Sequence, residues 1–256
     1  MGLYGTSGLG IPDDYYTALS RGRILTSTIF SIIGQNLDID TASVPEDIWP
    51  VGGEYPFQTA AVTLEMLSTS VNDTLLGTGA RTILVSGLNL AFVPVSETVN
   101  LNGVGVVALV NSYYRINDVR VATAGSSSIN LGDITLRLTG AGVTQAFIPI
   151  GFGRSQACIY TVPAAKRAWL VDSTFQLIRA TANDVADIHI RTRSPNSPWI
   201  VLVDIGLAAN GESIVQRQPR ITFGVDAGTD ISVRAVDVNA NNIAVSGSIT
   251  GELQNV

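Results

Sequence analysis

Residues Asn72–Leu88 read NDTLLGTGARTILVSGL. Two glycines flank a threonine, an arginine follows, and an apolar run closes the stretch. If Gly77-Thr78-Gly79 cradles a phosphate, the chain has the fold of a nucleotide enzyme. If it is a turn, the chain is something else. A P-loop requires G-x-x-x-x-G-K-[ST] between a strand and a helix. Here no lysine follows Gly79, and Arg81–Ser86 has the make-up of a strand. A dinucleotide loop requires G-x-G-x-x-G opening a helix, and that pattern also fails. The stretch reads as a hairpin turn feeding a strand, with glycine supplying the positive φ that such turns use.

Working outward, the rest of the chain is also strand-like. Ile24–Ile33 reads as a strand. From about residue 58, candidate strands are Ala60–Leu67, Arg81–Ser86, Glu97–Leu101, Val104–Val110, Tyr114–Ala122, Asp133–Leu138 and Thr144–Ile148. A second series comprises Cys158–Val162, Ala168–Leu177, Asp187–Arg193, Trp199–Ile205, Ser213–Gln216, Ile221–Gly224, Ile231–Val236 and Ala244–Leu253. Gly, Asn, Asp and Ser separate them, the spacing of a sandwich or barrel. Alternation is clean in Asp133–Leu138, where Ile134, Leu136 and Leu138 oppose Asp133, Thr135 and Arg137. It is also clean in Asp187–Arg193, where Ile188 and Ile190 oppose His189, Arg191 and Arg193. Period two with one polar face marks antiparallel sheets. The break at Gly151-Phe152-Gly153 divides the series. The fold expected is all-β: two β-sandwich or jelly-roll-like domains, 58–150 and 151–256, behind an N-terminal arm and linker, 1–57. The arm begins with the glycine-rich and mobile Met1–Gly10 and carries one short helix. That helix starts at Ile11-Pro12-Asp13-Asp14, with proline in the first turn and acids at the positive dipole end.

Composition narrows the function. The 256 residues are 46% hydrophobic and 14% charged, so the chain can bury a large core. A surface this poor in charge suits one covered in the working state by copies of itself or by a partner. Net charge is −6 and no basic face stands out, which argues against nucleic acid. Lys166 is the only lysine. The arginines that make up the other cations suit bidentate, partly buried pairing, although genome composition gives the same bias. The apolar stretch Ile24–Gly34 is too short and too rich in Ser and Thr to span a membrane, and no A-x-A site follows it. The chain reads as mature, without a targeting signal.

Few residues could carry chemistry. Cys158 is the only cysteine and His189 the only histidine, which excludes an intrachain disulfide and a multi-histidine metal site. His189 lies mid-strand among Asp187 and Arg191, where a cross-strand polar row explains it better than a general base. Asp237-x-Asn239-x-Asn241-Asn242 echoes a calcium loop. It lacks the glycine at the sixth position and the acid at the twelfth, so it reads as a polar hairpin turn. The acid pairs Asp38/Asp40 and Glu46/Asp47 read as solvated or paired with Arg. Asn72-Asp73-Thr74 is formally a glycosylation sequon. Trp169 and Trp199 read as core or interface, and Cys158 as a small buried apolar residue. No catalytic, metal or cofactor-binding residue is assigned, and no cofactor is expected.

The order of segments resembles a family of virion structural proteins of tailed bacteriophages, common in aquatic phages. The resemblance rests on Ser20-Arg21-Gly22, Gly34-Gln35-Asn36, Val44-Pro45-Glu46-Asp47-Ile48-Trp49 and Gly52-Gly53-x-Tyr55. It continues through Ser70–Thr74, Gly77–Thr82, Glu97–Gly103, Ala124-Gly125-Ser126 and Asn130-x-Gly132-Asp133-Ile134, then Ile159–Ala164 with Ala168-Trp169-Leu170. It covers most of residues 20–175. Leu75-Leu76 and Lys166-Arg167 depart from it. These are turn and strand signatures, not catalytic ones. The resemblance implies a non-enzymatic place in the particle. It does not fix head or tail; the role favoured here is a capsid decoration or cement protein, in homotrimers, bound to the major capsid protein, without direct contact to nucleic acid or membrane. The interface is expected in the arm, at Tyr15, Tyr16, Phe30, Trp49, Tyr55 and Phe57, because aromatic anchors carry much of a binding energy. A tail or fibre component that binds host glycans through loops such as Asn239–Asn242 is the alternative. A virion-associated hydrolase using His189 is the third reading.

Overall fold

A computed structural model describes residues 14–178, 181, 183–211, 213–217 and 223–256. Met1–Gly10, with its Gly5-x-x-Gly8-x-Gly10 pattern, lies outside them. So do Ile11–Asp13 and the Ile221-Thr222 part of an expected strand. Among the described residues the chain is all-β apart from one short helix, α1 (Tyr15–Ser20). The Asp14 carboxylate caps α1 by accepting from the Thr17 N–H at 2.8 Å. This satisfies one of the donors that the first turn leaves open, and the bond holds the Asp14 carboxyl below its ordinary pKa.

The strands run in chain order. The N-terminal segment supplies β1 (Ser27–Ile39) and β2 (Glu46–Asp47). Then come β3 (Val62–Ser68), β4 (Ala80–Leu88), β5 (Pro94–Asn100), β6 (Val107–Tyr113), β7 (Arg115–Ala124), β8 (Ile134–Leu138) and β9 (Thr144–Ile148). The last group is β10 (Ile159–Thr161), β11 (Lys166–Ile178), β12 (Val185–Arg193), β13 (Ile200–Ala208), β14 (Ile214–Arg217), β15 (Phe223–Val225), β16 (Asp230–Val238) and β17 (Ile243–Asn255). All the strand pairings between them are antiparallel.

They form two sandwiches. In the first, a sheet ordered β6-β3-β8-β9 faces one ordered β5-β4-β7. Leu64, Met66, Ile83, Val85, Ile134, Leu136 and Ile148 fill the space between. In the second, a sheet ordered β1-β17-β11-β14, with β15 also on β11, faces one ordered β10-β16-β12-β13, with β2 on β16. Ile32, Phe175, Ile188, Ile190, Val233 and Val245 are among its core. Each such side chain contributes about 1.5–3 kcal/mol by leaving water. Residues 27–57, read from sequence as part of an arm and linker, thus supply β1 and β2 to the sheets formed by residues 159–255. Gly34 of β1 shows how closely this segment fits. A Cβ there would stand 2.4 Å from the Cys158 nitrogen and 2.7 Å from the Ile48 oxygen.

Two connections differ from expectation. Asn72–Gly79 is not a hairpin turn: it joins β3 to β4, which lie in opposite sheets. Gly77 and Gly79 do not take positive φ. They are required for close approach, because a Cβ on Gly79 would stand 2.1 Å from Asp73 Oδ1 and one on Gly77 2.1 Å from the Asn72 oxygen. Asp73 is fully buried and accepts from the Ser68 hydroxyl at 2.6 Å and the Ala80 N–H at 2.8 Å. It also accepts from the Leu131 and Gly132 N–H groups, both at 2.9 Å. One carboxylate therefore gathers the β3–β4 and β7–β8 connections. The loop does cradle an anion, and that anion belongs to the chain itself. Asn239–Asn242 likewise crosses between sheets, from β16 to β17. Its polar side chains are used internally. Asn241 Oδ1 accepts from the Thr41 N–H and hydroxyl, and Asn239 bonds Val185 and Asn183.

Two outcomes test this account. Gly79→Ala should cost about 1–3 kcal/mol of unfolding free energy in urea, because its methyl must displace the Asp73 carboxylate. Glu65 accepts from the Ala141 and Gly140 N–H groups and from Arg137, which holds its carboxyl below its ordinary range. A depressed folded pKa contributes stability above the unfolded value that is lost as pH falls through the folded one. Glu65→Gln should therefore melt below the parent at pH 7, and the two melting temperatures should converge as the pH falls through the lowered pKa of the folded state.

Candidate functional site

The two sandwiches meet at a polar and aromatic junction. Asp230, on the first residue of β16, is 3% exposed. Arg115, on the first residue of β7, forks onto it with Nε at 2.8 Å and Nη2 at 3.0 Å. Arg193 Nη2 donates to the same carboxylate at 2.9 Å, and the Thr161 hydroxyl does so at 2.6 Å. Burial opposes the charge on Arg115, but the hydrogen bonds and charge of Asp230 outweigh it, and the guanidinium pKa ends above its ordinary value. The Phe57 ring lies between the two guanidiniums, 5.2 Å from Arg115 and 4.9 Å from Arg193. Trp199 lies under Arg193 at 4.5 Å and Arg191 at 4.0 Å, and Tyr114 lies under Arg115 at 4.0 Å. Arginine suits these places because its flat face stacks while its edge still donates.

A second buried carboxylate, Asp47 of β2, takes Arg191 at 2.8 Å, the Ser232 hydroxyl at 2.7 Å and Arg234 at 3.3 Å. Arg234 also reaches Glu54. Burial, aided by the neighbouring Arg234, keeps the Arg191 pKa below its ordinary value against the opposing pull of Asp47. The acid pair Glu46/Asp47 is thus buried, with Asp47 paired to Arg and Glu46 bonded to Asn36 and the Gly53 N–H. Arg191 departs from the expected solvated face of β12. It is 5% exposed because Asp47, Ser232 and the Trp199 ring cover its guanidinium on that face.

The six aromatic residues expected at an interface fall in different places. Tyr16 is half exposed and packs edge-on to Tyr15, whose hydroxyl meets Glu252 at 2.5 Å. Phe30 is buried and stacked on Tyr160 at 4.7 Å. Trp49, Tyr55 and Phe57 form an edge-to-face chain that ends on Trp199, and the Tyr55 hydroxyl donates to the Gln145 oxygen at 3.0 Å. These three seal the seam between the sandwiches. The sequence reading did not single out Arg115, Arg193 or Asp230 for this junction. They are scattered along the chain, and no spacing marks them.

His189 faces Asp204 across the β12–β13 pair, Nε2 to Oδ1 at 3.5 Å, on a partly exposed sheet face. Cys158 is buried, which pushes its thiol pKa up and leaves it a protonated, apolar side chain. Among the described residues, no three or more His, Cys, Asp or Glu side chains converge as metal ligands, and no helix is long and apolar enough to cross a membrane.

The outer surface carries a concentration of large apolar side chains at the end of the first sandwich opposite the Arg115–Asp230 contact. There the β3–β4 and β5–β6 loops pair through Thr74 and Asn102. Val71, Leu75, Leu76, Val104 and Val106 project from these loops, with Leu76 90% exposed and Val71 69%.

No protein-family model matches the chain, and no curated protein matches it. Among solved structures, it is similar to a chain in the structure of infectious bursal disease virus Gx strain. That match has 11% identity and covers 88% of this chain and 71% of that one, with a TM-score of 0.23. It is also similar to a chain in the crystal structure of an infectious bursal disease virus VP2 subviral particle. Identity there is 11%, coverage 98% and 83%, and the TM-score 0.14. Scores this low do not show a shared fold, and the architecture above rests on the chain's own strand pairing.

If Asp230 is the clasp of the junction, Asp230→Ala should lower unfolding free energy by about 3–5 kcal/mol, because Arg115 is left buried and unpaired. The double change Arg115→Met, Asp230→Leu should cost less than Asp230→Ala alone, as read by urea denaturation.

Proposed function

We propose that the protein is a non-enzymatic structural component of a tailed-phage virion, most simply a capsid decoration protein. In this reading it works as a homotrimer seated on the lattice of the major capsid protein. The observation that carries the reading is the apolar tip. A protein with two closed cores still presents Val71, Leu75, Leu76, Val104 and Val106 to solvent on paired loops held by Asp73. Patches of this kind mark contact surfaces. The segment resemblance to virion proteins supports the same reading, and the Gly77–Arg81 loop that carries part of it shapes the tip. Tyr16 and Leu25, exposed near the start of the described chain, supply further apolar contact from the N-terminal segment. Many weak contacts repeated over a symmetric lattice add up to firm attachment.

Imaging of the particle tests the location. Density over the capsid lattice is expected, and density confined to the tail would overturn the decoration role. Leu76→Asp with Val104→Asp should leave the melting temperature within about 2 °C, since both sites are exposed. The same pair should weaken capsid binding at least tenfold. Unchanged binding would show that the tip is not the contact.

A further inference from the structure

A cleft of about 420 Å³ opens on the outer side of the junction, with Phe57, Leu90, Phe92, Tyr114, Arg193 and Asn196 in its wall. Its volume falls within the roughly 300–1,000 Å³ of small-molecule sites. The charged residues that line it are Arg115, Arg193 and Asp230, so the cleft carries one uncompensated positive charge in a chain of net −6. Arg115 is spent internally: Nε and Nη2 meet Asp230, and Nη1 meets the Gln58 and Tyr114 oxygens. Arg193 is not. Among the described residues its Nη2 alone has a protein partner, and that bond uses one of the two Nη2 hydrogens; the other, with the Nε or Nη1 hydrogen beside it, is left as a two-donor edge. The stacking of this guanidinium over Phe57 and Trp199 fixes the direction of that edge.

The rim is equally fixed. Phe92 holds φ 59 and Asn196 φ 61, left-handed conformations that side chains rarely adopt, and Gly228 between them holds φ 77. Phe92 is pinned in this state because its N–H donates to the Asn89 oxygen and its oxygen accepts from the Ala164 N–H. It packs edge-to-face on Tyr114, with ring centroids 5.5 Å apart. Backbone strain held against its own cost is a mark of ligand sites.

We propose that this cleft binds a sugar that bears a carboxylate. A guanidinium edge pairs with a carboxylate through two parallel hydrogen bonds. The Phe92 and Tyr114 rings offer an apolar wall to the C–H face of a pyranose, and the Asn196 amide offers a donor and an acceptor to its hydroxyls. A neutral sugar would leave the Arg193 edge unpaired, and a bare phosphate would leave the aromatic wall unused. This site lies on the junction, far from the apolar tip, and does not rest on the particle reading.

The test uses the free full-length protein and follows Trp199 fluorescence and calorimetric heat. The titrants are N-acetylneuraminic acid, glucuronic acid, glucose and inorganic phosphate at equal ionic strength. At least one acidic sugar should bind, with glucose and phosphate at least tenfold weaker, and the preferred acidic sugar identifies the source. Arg193→Gln should weaken that binding about tenfold, the loss of one charge-assisted contact. Should that variant fail to fold, Asn196→Asp, at an exposed site, should weaken binding by placing a negative charge against the carboxylate. Equal binding of glucose or phosphate, no binding of either acidic sugar at tens of millimolar, or full affinity in the folded variant would overturn the proposal.

Discussion

One buried carboxylate holds the two sandwiches in register. Asp230 takes a bidentate guanidinium from the first sandwich and a second guanidinium and a hydroxyl from the other. A charge this deep is tolerable only if every lone pair is met, and removing any partner leaves the others desolvated without compensation. The rest follows from that clasp. Phe57 is held between Arg115 and Arg193, Trp199 lies beneath Arg193 and Arg191, and the linker Trp49–Phe57 is fixed along the seam. Lysine could not serve in these positions. Its ammonium neither stacks nor forks, so the scarcity of lysine has a structural use at this junction whatever its origin in the genome.

The strands were largely legible in the sequence, because period-two alternation records which face each residue gives to a core. Thr144–Ile148 was read to the residue, and Asp133–Leu138 within one. What alternation does not record is which sheet the next strand joins. Glycine and asparagine at Asn72–Gly79 and Asn239–Asn242 announce a change of direction, and a hairpin and a crossing between sheets use the same residues. The sandwich walls had to come from long-range pairing instead. Arg191 was misread for a related reason: its partner Asp47 lies 144 positions away, and no local pattern reports it.

The candidate sites were less legible still. The cleft takes Phe57 from a linker, Phe92 from the β4–β5 loop, Tyr114 from between two strands and Arg193 from the end of β12. Only the fold brings them together. The apolar tip was partly visible, since Leu75-Leu76 is one of two places where the chain departs from the virion proteins it resembles.

The pairing of β1 with β17 sets a timetable. Ser27 lies opposite Gln254, so β1 waits for β17, a strand made much later in synthesis. The first sandwich is contiguous from Val62 to Ile148 and can close while the ribosome is still adding the remainder. The second cannot, because the strand that joins β1 to β11 is missing until β17 emerges. Until then β1 presents Phe30 and Ile32 with no sheet to cover them, a state open to pairing with neighbouring chains. Non-local closure of this kind is slow. A chain cut before β17 would therefore lose the pairing of β1 as well as β17 itself.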